Sequence, residues 1–313
     1  MDAQVAAALK VTAEDWRKRW ASTVRERTAS DAANDLKYLG LTNKPLLQLT
    51  KADIAAAYES RIQQVSMVTA AKEMRTVRLL WNVAYKTLPD DCGVELRNPV
   101  AAALSGGKGA KNKLLPKVVK KTFVPAKLMP EFIQSLRMQQ EVAGVGLSVR
   151  SLAAEFLVLT GLRAKEVTNL RWGEVSIKAG EFTIPAERSK NGHPLTRSLT
   201  PRLMEIIQIR LSERGKKDVY VFQSATKAGV PVYDVSDPIA QAGQTVGYEH
   251  RTPHDMRRSY ISAAVALGIN PVISRLLTNH LNGDIHDGYT QPTQEEIKAA
   301  ELTIESALIG CAV

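Results

Sequence analysis

Apolar positions recur at helical spacing through the first third of the chain. In TKADIAAAYESRIQQV, Ile54, Tyr58, Ile62 and Val65 fall on one face, and Thr50 with Asp53 three residues on has the spacing of a helix-capping pair. The next segment repeats the period: Met74, Val77, Trp81, Ala84 and Leu88 form one apolar stripe, flanked by Lys72, Arg75, Arg78 and Lys86. From Thr12 to about Leu88 the pattern predicts a small helical bundle with a basic edge. The stripe is ordinary core; only the basic edge speaks of a partner.

The second half is mixed. Ser151 to Leu159 reads as an apolar helix ending at Gly161, and Ala164 to Leu170 as another. In GEVSIKAGEFTIPAERSKNGHPLTRSLT, the β-rich pieces VSI, EFTI and LTRSL are separated by AG and NG turn signals, which predicts a small antiparallel sheet. Pro201 to Arg214 is amphipathic and DVYVF reads as a short strand. From Asp255 onward the chain is mostly helical, with Thr293 and Glu296 as a capping pair before the last helix. That helix carries Ile297, Leu302, Ile304 and Leu308, which suit either packing in its own domain or docking onto a neighbouring protomer. The fold class predicted is mainly α with a small antiparallel β-sheet.

Between these halves charge changes the picture. No acidic residue falls between Leu96 and Pro130, yet Arg97, Lys108, Lys111, Lys113, Lys117, Lys120, Lys121 and Lys127 do, with Gly106, Gly107 and Gly109 among them. Glycines loosen the backbone, and lysines without carboxylate partners suit phosphates, so this stretch reads as a basic strap or, more plainly, a solvated tether. The organisation expected is a helical domain over 1–104, a basic linker over 105–124 and a second domain over 125–313. The whole chain of 313 residues carries a formal charge of +10, with a pI near 9.5, which favours a polyanionic partner, nucleic acid first. Only Cys92 and Cys311 are present, against a disulfide framework and in favour of a reducing cytoplasm. No stretch reaches the roughly 20 apolar residues of a membrane span, so no membrane partner is expected.

Four places could carry chemistry. In LTGLRAKEVTNLRW, Arg163 follows a helix-ending glycine and Glu166 lies three residues on, as a carboxylate able to steady a guanidinium fork for phosphate oxygens. In TPHDMRRSYISAAVALGI, His254 and Arg257 share a face on a first helical turn, a proton-transfer group beside a phosphate clamp. LLTNHLNGDIHDGYTQ holds His280 and Tyr289, nine residues apart (289 − 280 = 9), across a polar turn. Lys190 in ERSKNGHP precedes the NG turn, at a hairpin tip that could reach into a DNA groove. Each alone has a bland reading: a surface ion pair, a helix start, a loop tyrosine, a solvated lysine.

Taken together they resemble a known set. Arg163, Lys190, His254, Arg257, His280 and Tyr289 stand in the order and approximate spacing of the six active-site positions of tyrosine recombinases, the phage integrase family. The matching boxes are TGLRAKEVTNLRW, the lysine in ERSKNG, PHDMRRSY and LLTNHLNGDIHDGY, with a gap of 23 from Arg257 to His280 (280 − 257 = 23). The resemblance covers about Phe123 to Ala307. The N-terminal bundle is similar to the family's core-site DNA-binding domain in length, helicity and position. Because that bundle begins within about the first twenty residues, the additional arm-site-binding domain of many integrases is not expected, and a layout like that of the Xer recombinases is. One departure is Asn279, where a glycine often precedes the histidine.

The resemblance implies a site-specific recombinase that acts in integration or excision of a mobile element. Tyr289 would attack a DNA phosphate to give a 3′-phosphotyrosyl link, without metal, ATP or other cofactor. It casts Arg163, Arg257 and His280 as phosphate ligands, His254 as the group that takes the phenol proton, Lys190 as the acid for the leaving 5′ oxygen, and Glu166 as the support of Arg163. Lys108, Lys111, Lys113, Lys117, Lys120 and Lys121 would contact DNA from the linker. The partners implied are double-stranded DNA with specific recombination sites, three further protomers in a tetramer on paired sites, and accessory directionality or DNA-bending proteins. Such a protein would be cytoplasmic and nucleoid-associated, encoded by a bacterium or phage. The rivals are a type IB topoisomerase, a metal-dependent nuclease built on His280, Asp284, His286 and Asp287, and a DNA-binding regulator without catalysis.

Overall fold

The structure, a computed structural model, describes residues 3–89, 95–104, 122–142, 145–189, 191–249, 251–279 and 292–311. It divides into two compact units, Met1–Lys120 and Lys121–Val313.

The first unit is helical: α1 (Ala3–Leu9), α2 (Ala13–Ala21), α3 (Glu26–Tyr38), α4 (Lys51–Ile62), α5 (Met67–Tyr85) and α6 (Pro99–Leu104). Side chains satisfy the exposed amides at three helix starts, because Thr12, Thr50 and Ser66 accept from Asp15, Asp53 and Thr69 at 3.2, 3.1 and 3.2 Å. Asp53 completes the capping box by accepting from the Thr50 amide at 3.0 Å. The predicted stripe of α5 is core: Met74, Val77, Trp81, Ala84 and Leu88 are buried together with Leu36, Leu46, Ile54 and Tyr58. Lys72, Arg75, Arg78 and Lys86 are all exposed, so the basic edge faces solvent.

The second unit is built around α8 (Val145–Thr160), which is buried on every side from Ser151 to its end. Such a helix needs neighbours all round. They are α7 (Met129–Val142), α9 (Ala164–Thr168), α10 (Pro201–Ser212), α11 (Ser236–Thr245), α12 (Pro253–Ala266) and α14 (Gln294–Ile309). α13 (Pro271–Leu277) lies between α12 and α14 in sequence and packs on both. The sheet has the order β1-β2-β3 and is antiparallel, with β1 (Val175–Ser176), β2 (Glu181–Ile184) and β3 (Leu195–Ser198). Phe182 pairs with Arg197 and Ile184 with Leu195, which puts Phe182, Ile184 and Arg197 on the buried face.

One expectation changes. DVYVF makes no strand: Tyr220 forms an isolated bridge with Arg171, and the Gln223 side chain takes the Val219 amide at 3.1 Å, which stops the ladder. The β2–β3 connection is not a tight two-residue turn, because residues 185–194 separate the strands. Of its described residues, Ser189 is fully buried and Arg188 donates to the Asn169 carbonyl at 2.6 Å, while Gly192, His193 and Pro194 are exposed. Finally, α14 packs within its own unit, with Ile304 and Leu308 fully buried and Leu302 exposed. Ile304 and Leu308 are core, while Leu302 stays on the surface.

Gly161 ends α8 at φ 63°, where a Cβ would stand 2.5 Å from the Tyr260 ring. Arg197 lies just beneath. It is 3% exposed, pairs with Glu301 on α14, and donates to the carbonyls of Thr160 at 3.1 Å and of Leu277, the last residues of α8 and α13. Breaking a buried pair by removing one partner strands the other charge and typically costs about 3–5 kcal/mol. Arg197→Met is therefore expected to lower the unfolding free energy read from urea denaturation by about that amount, and Arg197→Met/Glu301→Met to recover part of the loss.

Candidate active site

Three chain segments meet at the C-terminal ends of α8 and α13. The carbonyls at a helix C-terminus have no partner within the helix, so each needs an outside donor. Arginines supply them. Arg197 takes Thr160 and Leu277. Arg257 donates to the next residue along each segment, Gly161 at 3.1 Å and Thr278. Arg163 reaches the carbonyl after that, Asn279, at 3.4 Å.

Local sequence explains why each arginine points here. Gly161 turns the chain out of α8, and Arg163 becomes the residue that precedes α9, with extended backbone. Glu166, one turn into α9, accepts from the Arg163 amide at 2.9 Å and from its guanidinium at 2.7 Å. One carboxylate thus caps the helix and aims the arginine. α12 starts with Thr252 and Asp255 in a capping box, the Thr252 amide donating to Asp255 at 2.9 Å. That places His254 in the first turn and Arg257 one turn inward.

Electrostatics mark the site. Arg257 is 4% exposed, and among the described residues its guanidinium meets two carbonyls and no carboxylate. Burial, and the nearby positive charges of Arg163 and Arg197, lower its pKa to about 10, with Glu166 opposing. It stays charged at neutral pH. Partial burial of the ring and the guanidiniums of Arg258, Arg257 and Arg163 hold the His254 imidazole below its ordinary value, although the residue as a whole is exposed. This favours the neutral imidazole, the form able to accept a proton.

Of the residues singled out in the sequence, Arg163, Glu166, His254 and Arg257 come together here. Lys190, His280 and Tyr289 lie outside the described residues, as do Lys108, Lys111, Lys113, Lys117, Lys120 and Lys121, and the cluster Asp284, His286 and Asp287. Among the described residues no group of three or more His, Cys, Asp or Glu side chains could hold a metal ion. No helix of the described residues is long and apolar enough to cross a membrane.

Residues 134–296 match the family model described as the phage integrase family. The chain belongs to this family. Among curated proteins, the prophage integrase IntZ of Escherichia coli (strain K12) is 25% identical over 218 residues, 67% of this chain and 49% of IntZ. The integrase of Salmonella phage P22 is 26% identical over 123 residues, 37% of this chain and 32% of that protein. The matches thus span about half or less of those relatives' lengths. In three dimensions the chain is similar to a lambda integrase dimer bound to a COC′ core site, with TM-score 0.63, 19% identity, and coverage of 92% of this chain and 79% of that one. It is also similar to the Tn1549 transposon integrase in complex with circular intermediate DNA, with TM-score 0.62, 14% identity, and coverage of 92% and 98%. A lambda integrase tetramer bound to a Holliday junction gives TM-score 0.62 at 19% identity, with coverage of 90% and 81%. The shared fold is the mainly helical one with a small three-stranded sheet.

Within this integrase fold, sequence reasoning passed over Arg197, Glu301 and Tyr260, which brace the site from below. A signal existed: alternation along LTRSL puts Leu195, Arg197 and Leu199 on one face, so an arginine belongs to the buried side. Glu301 and Glu305 likewise share a helix face with Ile297, Ile304 and Leu308.

The low His254 value has a testable sign. Below pH 6.5 the unfolded chain protonates this residue before the folded one does, so its contribution to stability is complete above 6.5 and is lost as pH falls through the folded value. An NMR titration of the DNA-free protein is expected to put the His254 midpoint under 6.5, and His254→Gln to weaken the loss of stability on acidification. A midpoint at or above the ordinary value would contradict the charge arrangement described.

Proposed function

We propose that the protein is a site-specific DNA recombinase, which cuts and rejoins strands through a covalent 3′-phosphotyrosyl link to Tyr289. The observation that carries this reading is the convergence of Arg163 and Arg257 near His254, with Glu166 holding Arg163 and no carboxylate on Arg257 among the described residues. Two guanidiniums brought together in this way offer donors that suit the non-bridging oxygens of a phosphodiester. Family membership and the likeness to DNA-bound integrases support the same reading.

The chemistry is an exchange of one phosphodiester for another. The Tyr289 phenol oxygen bonds to phosphorus as the bond to the 5′ oxygen breaks. His254 takes the phenol proton, since a phenol with a pKa near 10 is a weak nucleophile at neutral pH. Lys190 gives a proton to the 5′ oxygen, which would otherwise leave as a high-energy alkoxide. Arg163, Arg257 and His280 stabilise charge on the non-bridging oxygens, the task a metal performs in other phosphoryl-transfer sites. Because bond energy is retained in the protein-DNA link, the exchange requires no ATP, and a 5′ hydroxyl from another strand reverses it.

The first unit, with its exposed Lys72, Arg75, Arg78 and Lys86, serves as the core-site-binding domain in this reading. The linker lysines 108, 111, 113, 117, 120 and 121 track along the backbone of the duplex. Four protomers on two sites complete strand exchange, as the tetrameric lambda assembly on a junction suggests, with accessory factors setting direction.

A nicked suicide duplex, drawn from the DNA that flanks the gene and incubated with the protein in EDTA, is expected to give an adduct that survives denaturation. Tyr289→Phe is expected to give none. Cleavage that appears only when a divalent metal is supplied, without an adduct, would overturn the reading and favour hydrolysis. Relaxation of any supercoiled plasmid, without preference for paired sites, would move it to a topoisomerase.

A further inference from the structure

Among the described residues Asn279 is the one non-glycine with positive φ, at 50°, and it is 3% exposed. Glycine would meet that backbone conformation without strain, and asparagine is among the few other residues that tolerate it. Its side chain therefore has a use that the turn alone does not explain.

The contacts supply one. Asn279 Nδ2 donates to Ser189 Oγ at 2.8 Å. Asn191 Nδ2 donates to the Asn279 carbonyl at 2.6 Å and lies 3.3 Å from Asn279 Oδ1. The same carbonyl accepts from Arg163 at 3.4 Å. Ser189 and Asn191 are the residues on either side of Lys190 in the chain, and the residue after Asn279 is His280. The β2–β3 connection is thus fastened on both sides of the lysine to the residue that also meets Arg163.

We infer that Asn279 is a positioning residue for the protonation of the leaving group: it ties Ser189 and Asn191, the chain neighbours of the general acid Lys190, to the segment that Arg163 meets. This rests on the recombinase reading above. Asn279→Gly suits the left-handed backbone and keeps the carbonyl that Asn191 and Arg163 meet, but removes the bond to Ser189 and the 3.3 Å approach of Asn191 to Oδ1, so the fold is expected to be retained. A thermal melt checks that.

The test compares two suicide duplexes. One carries an ordinary phosphodiester at the cleavage position and the other a 5′-bridging phosphorothiolate, whose sulfur leaves as a thiolate without needing a proton. Lys190→Ala calibrates the pair, slow on the first and close to wild type on the second. Asn279→Gly is expected to cleave the phosphodiester about tenfold more slowly, a part of the hundredfold or more that a general acid supplies, and the phosphorothiolate at the wild-type rate. In a Lys190→Ala background it is expected to add no further loss, because both substitutions act on the same step. Wild-type rates on both substrates, or an equal slowing on both, would overturn the inference while leaving the recombinase reading intact. So would a Lys190→Ala protein that the phosphorothiolate does not rescue. Failure of the wild-type protein to form an adduct with either duplex would instead remove the reading beneath it.

Discussion

The ends of two helices, α8 and α13, come together with terminal carbonyls that have no partner inside their own helices, and this constraint organises the second unit. A helix C-terminus carries about half a negative charge, spread over such carbonyls. Arg197 and Arg257 bring full positive charges to them, one below the other, each bridging a residue of the first segment to a residue of the second. In Arg197 the balance is completed by the Glu301 carboxylate. In Arg257, among the described residues, it is not. The lower arginine is structural and the upper one retains unsatisfied charge at the place where His254 and Arg163 also arrive.

Packing follows from that arrangement. α8 supplies one end of the bridge and is buried throughout its second half, so α7, α10, α11 and α12 close around it. Glu155, within α8, is fully buried and takes Arg202 with both oxygens, each at 2.8 Å, and Arg137 at 2.8 Å. Hydrogen-bonded partners offset the cost of burying such a carboxylate. α12 is tied to the incoming chain as well: Val124 donates to Ser259 Oγ at 2.8 Å, and Thr122 caps Asp255 from outside the helix at 2.5 Å. The helix that carries His254 and Arg257 is therefore fixed both by its core face and by the segment that precedes α7.

How much of this could be read in advance depends on the range of the interactions. Caps and stripes are local, which is why Thr50 with Asp53, Thr293 with Glu296, and the α5 stripe through Trp81 are legible in the sequence. So are Arg163 with Glu166 and His254 with Arg257, each pair three residues apart; bringing the two pairs together required the resemblance, since no local pattern joins residues about ninety positions apart. The partners of Arg197 lie 37, 80 and 104 residues away, out of reach of any periodicity. DVYVF misled because its composition suits a strand, while its backbone groups are shared out among Leu170, Trp172, Arg210, Val232 and the Gln223 side chain instead of one ladder. The NG turn is legible too, with Gly192 at φ 72°, but the bond of buried Ser189 to Asn279, 90 residues on, is not.

If the upper arginine works by meeting charge on phosphate oxygens, its value should vanish when that charge is removed. Rates of covalent cleavage by the wild-type protein and by Arg257→Ala can be compared on a phosphodiester duplex and on one with a neutral methylphosphonate at the same position. A large deficit of Arg257→Ala on the phosphodiester that nearly disappears on the methylphosphonate is the expected result, because a charged donor is most valuable opposite a charged oxygen. An equal deficit on both substrates would contradict it, and would make Arg257 a second brace of the two helix ends like Arg197.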